Sequence, residues 1–146
     1  MRISTRGRYS LDALLFLALE PGDALHNTRA IAEQTGISEG YLEQLFIPLR
    51  QKGLIVAIRG AQGGYRLGKN SAEISIGDIL RVSEGSLEPV GCLANEPCGR
   101  EGECASRLTW ARLYSAITEC ADSITLGDLV DAYEPVETEV HTEYAI

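Results

Sequence analysis

No apolar run in this sequence approaches the roughly 18 residues that a membrane-spanning helix requires. The opening segment, Met1 to Arg8, carries three arginines, but the apolar stretch after it holds Asp12 and keeps helical spacing. No small-residue cleavage site follows, so no signal peptide is read and a cytoplasmic location is expected, with no membrane partner. Positive charge is scarce: 13 Lys and Arg face 21 Asp and Glu, a net of −8. Histidine occurs only twice, at His26 and His141, each isolated and each read as solvated. With no nucleophile–base pair and no acid–base constellation, nothing points to an enzyme. Internal repeats are absent, as are the short CxxC hooks common in structural zinc sites. What remains is 146 residues, 45% hydrophobic, suited to one compact domain with an appended segment.

An acidic net charge looks wrong for a nucleic-acid binder until the chain is divided. Residues 1–75 hold nine Lys/Arg against seven Asp/Glu, a net of +2. Residues 76–146 hold four against fourteen, a net of −10. Phosphate binding depends on the local field at the docking face, which decays over about 8–10 Å in physiological salt. A mildly basic first half can therefore meet DNA while an acidic second half points elsewhere; the bland alternative is that the acidity merely aids solubility.

Along the chain, Tyr9, Leu11, Leu14, Leu15, Ala18 and Leu19 form an apolar stripe that predicts a helix over about Ser4–Leu19, ended by Glu20-Pro21-Gly22-Asp23. A short helix is expected over Thr28–Thr35, capped by Asn27 or Thr28 and stopped by Gly36. Ser38 caps a third, reaching about Lys52 before Gly53. The β-branched run Leu54–Ile58, the glycine-rich Arg59–Gly64 and the segment Gly64–Leu67 read as a hairpin. Ser75-Ile76-Gly77-Asp78 opens a fourth helix. Gly85–Glu103 is an aperiodic loop, Ala105–Cys120 a long helix, Thr125–Tyr133 a short one, and Glu134–Ile146 an acidic flexible tail.

Thr28–Gln51 has the offsets of a helix-turn-helix. With Thr28 as the first position, Ala32 is fifth, where the helices cross, Gly36 ninth, in the turn, and Leu42 fifteenth; Ile31, Ile37 and Leu45 complete the lock. Ser38, Glu39, Gly40, Tyr41, Glu43 and Gln44 are left on the exposed start of the second helix, the part able to reach base edges. An ordinary αα-hairpin has similar spacing. The hairpin that follows immediately favours a winged helix. Gln44 can pair with adenine, and Glu43 can accept from cytosine while repelling sequences that do not satisfy it; Glu43 also reads as a plain surface carboxylate. Ser38 and Tyr41 suit phosphate contacts as well as capping and packing roles. Arg59, beside flexible Gly60, can enter a narrow minor groove or simply be solvated.

Cys92, Cys98 and Cys104 follow a C-x5-C-x5-C pattern in the Gly/Pro-containing loop. In a reducing compartment, closely spaced thiols point to metal or redox chemistry rather than disulfides. Three thiolates are one short of the usual four for [2Fe–2S], [4Fe–4S] or zinc. The even, wide spacing favours a cluster over zinc, with three incidental loop cysteines as the bland alternative. Cys120, on the long helix, reads as a small buried apolar residue.

On these residues the chain resembles the IscR (iron–sulfur cluster regulator) family of winged-helix transcription factors over about residues 1–133. The likeness runs through Met-Arg-Ile-Ser-Thr-Arg-Gly-Arg-Tyr, Ile-Ser-Glu-Gly-Tyr-Leu-Glu-Gln-Leu, Leu-Ile-Val-Ala-Ile-Arg-Gly-Ala-Gln-Gly-Gly-Tyr-Arg-Leu, the three cysteines and Ile-Thr-Leu-Gly-Asp-Leu. The resemblance implies a homodimer joined along the long helix, bound to a pseudo-palindromic operator in double-stranded DNA. It implies a cluster on Cys92, Cys98 and Cys104, [2Fe–2S] before [4Fe–4S], and DNA contacts from Ser38, Tyr41, Glu43, Gln44 and Arg59, to which the exposed Gly40 and Gly60 are added. One position departs: family members matching this pattern carry a histidine ligand three residues after the last cysteine, where this chain has Arg107, which cannot coordinate iron. Nitric-oxide-sensing relatives use an N-terminal acidic residue of the partner subunit, and the corresponding residue here is Arg8, with Asp12 one turn on. The fourth ligand stays open among Asp12 of the partner subunit, a loop glutamate, Cys120 and an exogenous thiol.

The expected fold is mainly α with a small β-hairpin (α+β): a winged helix-turn-helix over residues 1–84, a cluster-binding loop over 85–104, a dimerisation helix and short terminal helix over 105–133, and an acidic tail over 134–146. The expected function is a cluster-sensing transcriptional regulator, most simply a repressor of iron–sulfur biogenesis, iron or redox and nitric-oxide-response genes. A cluster-carrying electron-transfer protein and a zinc- or thiol-stabilised interaction module are the alternatives.

Overall fold

The computed structural model describes residues 1–93, 99–100 and 102–133. Six helices and one hairpin follow in the order α1 (Thr5–Leu19), α2 (Thr28–Thr35), α3 (Glu39–Gln51), β1 (Ile55–Ile58), β2 (Gly64–Leu67), α4 (Ile76–Glu84), α5 (Arg107–Ser123) and α6 (Leu126–Ala132). This is the mainly helical winged-helix architecture that the sequence predicts, with a two-stranded antiparallel hairpin as its only sheet among the described residues.

Local chemistry sets most helix ends. The Ser4 Oγ accepts from the Gly7 amide at 3.3 Å, and the Asn27 Oδ1 from that of Ala30 at 2.8 Å. Asn27, not Thr28, is thus the cap of α2. Gly36 ends that helix with φ +74°, a left-handed conformation in which a Cβ is costly, and its amide donates to the Ala32 carbonyl at 2.9 Å. Both α4 and α6 open on reciprocal capping boxes. Ser75 and Asp78 exchange side-chain bonds at 3.0 Å in each direction, and Thr125 and Asp128 at 2.9 and 3.1 Å. Pro48 sits inside α3 without ending it, and the Pro48 carbonyl still accepts from Lys52 in the last turn.

One core unites these elements. Leu14 of α1, Ile31 of α2, Leu42 and Leu49 of α3, Ile55 of β1, Ile79 of α4 and Leu126 of α6 are all fully buried. Each such side chain is worth about 1.5–3 kcal/mol of transfer free energy. Ala32, Gly36 and Leu42 stand where the helix-turn-helix spacing puts them, with Ala32 half-buried between the two helices. The hairpin pairs Ile55 with Leu67 and Ile58 with Gly64. It is fastened to the helices by a bridge in which His26 and Tyr65 exchange backbone bonds at 3.0 and 2.8 Å. Gly64 makes that bridge feasible, since a Cβ there would press on the His26 backbone.

The chain ends its described course by returning to its beginning. The Leu126 amide donates to the Ile74 carbonyl at 2.9 Å and the Ile76 amide to Ile124 at 2.8 Å. Thus α6 packs against α1 as part of the same core. By contrast α5 leans on α4 and buries only Ala121 of its 17 residues. The predicted flexible tail, residues 134–146, lies outside the described residues.

Candidate nucleic-acid interface and metal centre

The alternation along α3 sorts its residues cleanly. Leu42, Leu45, Phe46 and Leu49 face inward. Ser38, Glu39, Gly40, Glu43 and Gln44 are exposed on the opposite side of the helix start. Ser38 is held as N-cap, accepting from the Tyr41 amide at 3.3 Å. Tyr41 is half-buried: its ring meets Tyr9 edge-on, with centroids 5.8 Å apart. Its packing role is therefore visible, and it fixes the start of α3 against the start of α1.

At the hairpin tip Arg59 and Gly60 are exposed, and the Gly63 amide closes the turn onto the Gly60 carbonyl at 3.0 Å. Gly60 has φ +112°, which favours glycine, and a Cβ on Gly63 would collide with the Ile58 carbonyl. The tip is therefore tight enough to aim Arg59 outward. Between α3 and this wing runs a groove of about 460 Å³ that brings Glu43, Arg59 and Gly60 together with Asn27, Thr28 and Arg50. Ser38, Gly40, Tyr41 and Gln44 do not line the groove. Arg50 and Thr28 are additions to the sequence-derived set. Arg50 had a readable signal, since it stands seven residues, two helical turns, after Glu43. Thr28 arrives through the start of α2, where the helix dipole adds partial positive charge.

The cysteine loop is described at its two ends, and Cys98 lies outside the described residues. Cys92 sits in a short 3₁₀ turn, Gly91–Leu93, and is half-buried; Cys104 is half-buried just before α5. Arg107 ties the ends together. Its amide donates to the Cys104 carbonyl at 3.2 Å, and its guanidinium Nη1 donates to the Cys92 carbonyl at 3.3 Å. The Cys104 thiol is held below the usual cysteine pKa, chiefly by a hydrogen bond with Ser106, then by the Arg107 amide, with Arg100 adding positive charge. A thiol so placed favours the thiolate, the form that ligates metals. Among the described residues no three Cys, His, Asp or Glu side chains converge as a metal-binding group. Arg107 thus joins the two described ends of the loop, and the Cys104 thiol is shifted toward its thiolate. That chemistry fits a thiolate-held cluster.

Two readings of single residues change. Cys120 is exposed on α5 rather than buried. It stands thirteen residues past Arg107 on one helix, about 20 Å at 1.5 Å per residue. His26 is half-buried rather than solvated: its ring packs edge-on against Phe16 at 5.3 Å and faces Glu20 at 3.6 Å. His141 falls outside the described residues.

A family model named Rrf2, described as an iron-dependent transcriptional regulator, matches residues 3–132. The chain belongs to the Rrf2 family. It is 44% identical over 144 residues to the transcriptional regulator CymR of Bacillus subtilis, covering 99% of each protein. It is 38% identical to the transcriptional regulator IscR of Pectobacterium atrosepticum, over 92% of this chain and 82% of that one. The solved structure of CymR, titled the global cysteine regulator of B. subtilis, superposes with a TM-score of 0.75 at 41% identity, over 92% of this chain and 99% of that one. The Rrf2 assignment establishes a winged-helix, DNA-binding transcription regulator, and no relative named here is an enzyme. No helix among the described residues is long and apolar enough to cross a membrane.

Proposed function

We propose that this Rrf2 protein is a cytoplasmic homodimeric repressor that reads a pseudo-palindromic operator and answers to an iron–sulfur cluster on Cys92, Cys98 and Cys104, [2Fe–2S] before [4Fe–4S]. The observation that carries this is the clasp at Arg107, which joins the Cys92 and Cys104 ends of the loop at the foot of α5. On its other side the loop follows α4, which packs on both α1 and α3. Whatever fixes or frees the loop therefore acts at the end of α4, one helix away from the one that presents the reading residues. A bound cluster would supply a cross-link that iron supply, oxygen or nitric oxide can undo. The operators in view are those of iron–sulfur biogenesis, iron and redox or nitric-oxide-response genes.

In this reading Gln44 and Glu43 face base edges, Ser38, Gly40 and Tyr41 meet phosphates at the start of α3, and Arg59 with Gly60 enters the adjacent minor groove. Arg50 and Thr28 line the same groove, and Arg50 offsets the repulsion that Glu43 imposes on DNA. The dimer forms along α5, where Leu108 and Leu113 are 61% and 45% exposed, a loss of burial that a second copy would restore. Iron and acid-labile sulfide analysis of anaerobically purified protein tests the cluster directly. Stoichiometric iron and sulfide with visible iron–thiolate absorption is expected; zinc, or no metal, sinks the cluster reading.

A second reading has its own observation. The 44% identity over nearly the whole chain to CymR, the global cysteine regulator of B. subtilis, favours a cysteine-linked regulator that works without a cluster. The same metal analysis separates the two.

A further inference from the structure

The outer face of α3 carries one residue that core packing does not explain. Gly40, Glu43, Gln44 and Ile47 stand at i, i+3, i+4 and i+7, so they share one face of the helix, opposite the buried Leu42, Leu45, Phe46 and Leu49. Ile47 is 53% exposed, and it lines a small cleft with Glu43, Arg50 and Tyr65. An isoleucine left in water inside a helix gains little from burial, and its β-branch does not favour the helix. From Gly40 to Ile47 the helix rises about 10.5 Å at 1.5 Å per residue, close to three base-pair steps of 3.4 Å. The face that starts with polar reading residues thus ends on an apolar one. Ile58, 47% exposed, lines the adjoining groove with the same Glu43, Arg50 and Tyr65, and it precedes Arg59 on the wing.

We propose that Ile47 reads the 5-methyl group of a thymine in the major groove, about one to two base-pair steps from the bases that Glu43 and Gln44 face. The inference rests on the docking of α3 proposed above and adds a specificity determinant to it. Thymine alone presents a methyl group in the major groove, so an apolar side chain there selects it without a hydrogen bond. Contact between the methyl and Ile47 takes apolar surface of both partners out of water. Ile58 is placed differently. It stands beside Arg59, the residue proposed to enter the minor groove, where no thymine methyl is presented.

The test uses the full chain and duplex DNA that it selects from a random pool, with each thymine in turn replaced by deoxyuridine. That change removes the methyl group and keeps the pairing edge. Wild-type protein should lose about fourfold in affinity at one thymine position, the scale of one buried methyl group. Ile47→Ala should bind the thymine and uracil duplexes equally at that position, with normal circular dichroism. Ile47→Val should keep part of the preference and Ile58→Ala all of it. Pairing the base change with the side-chain change isolates their contact from any effect of uracil on duplex shape. Wild-type protein that binds every uracil duplex as well as its parent, or Ile47→Ala that keeps the thymine preference, overturns this inference alone. A selection that yields no preferred sequence, or Gln44→Ala with unchanged binding, removes the proposed docking of α3, and this inference with it.

Discussion

The reading unit and the cysteine segment are built by opposite rules. In the first, caps close the starts of α1, α2, α3 and α4, seven leucine and isoleucine side chains from α1 through α4 are fully buried, and even α6 returns to seal the far side with Leu126. In the second, a glycine- and proline-bearing loop is joined at its ends by one arginine, and the 17-residue helix that follows buries a single alanine. The second shows far less burial along α5, and it is where the proposed cluster and the proposed second subunit would attach.

This contrast can be broken in several ways. The largest effect is expected at the loop: Cys92→Ser or Cys104→Ser should lose most of the bound iron, read by metal analysis, while the melting temperature of the metal-free protein stays put. Next, Leu126→Ala should cost about 2–5 kcal/mol in chemical denaturation, as a buried leucine does, because α6 belongs to the reading unit. Leu113→Ala, on the exposed side of α5, should leave the unfolding of a monomer nearly unchanged and weaken self-association in sedimentation. Gln44→Ala and Arg59→Ala should each weaken operator binding by about 1–3 kcal/mol in titrations at fixed salt, with normal circular dichroism. The smallest effect is kinetic. In metal-free protein the depressed Cys104 pKa means more thiolate at neutral pH, so its alkylation should reach half-maximal rate at a pH below that of an ordinary cysteine thiol.

Legibility in the sequence follows the same divide. Helix starts at Ser4, Ser38, Ser75 and Thr125 could be read because a short polar side chain, three residues ahead of an amide that needs an acceptor, is local information. The hairpin was readable from its glycines. The sequence pattern places the start of α5 two residues early, at Ala105, since apolar spacing does not mark where a helix begins; Ser106 occupies the cap position. Its hydroxyl instead meets the Cys104 sulfur at 3.2 Å and makes no capping bond. A side chain diverted to a neighbouring site leaves no trace in local pattern. The 3₁₀ turn at Ser71–Glu73, the packing of α6 on α1, and the meeting of Arg50 with the wing were also missed, because each depends on contacts far apart in sequence. For the candidate site, the reading face of α3 and the cysteine spacing were visible, and the bond from Arg107 to the Cys92 carbonyl was not.

The central claim is that the state of the loop sets the affinity of the reading unit. The most direct measurement is operator binding by one anaerobic preparation at constant salt, before and after its iron is removed by a chelator. The account predicts that the dissociation constant shifts by about tenfold or more between the two states, the scale of ordinary allosteric coupling. Iron-loaded and iron-free protein binding the same operator with equal affinity would contradict it.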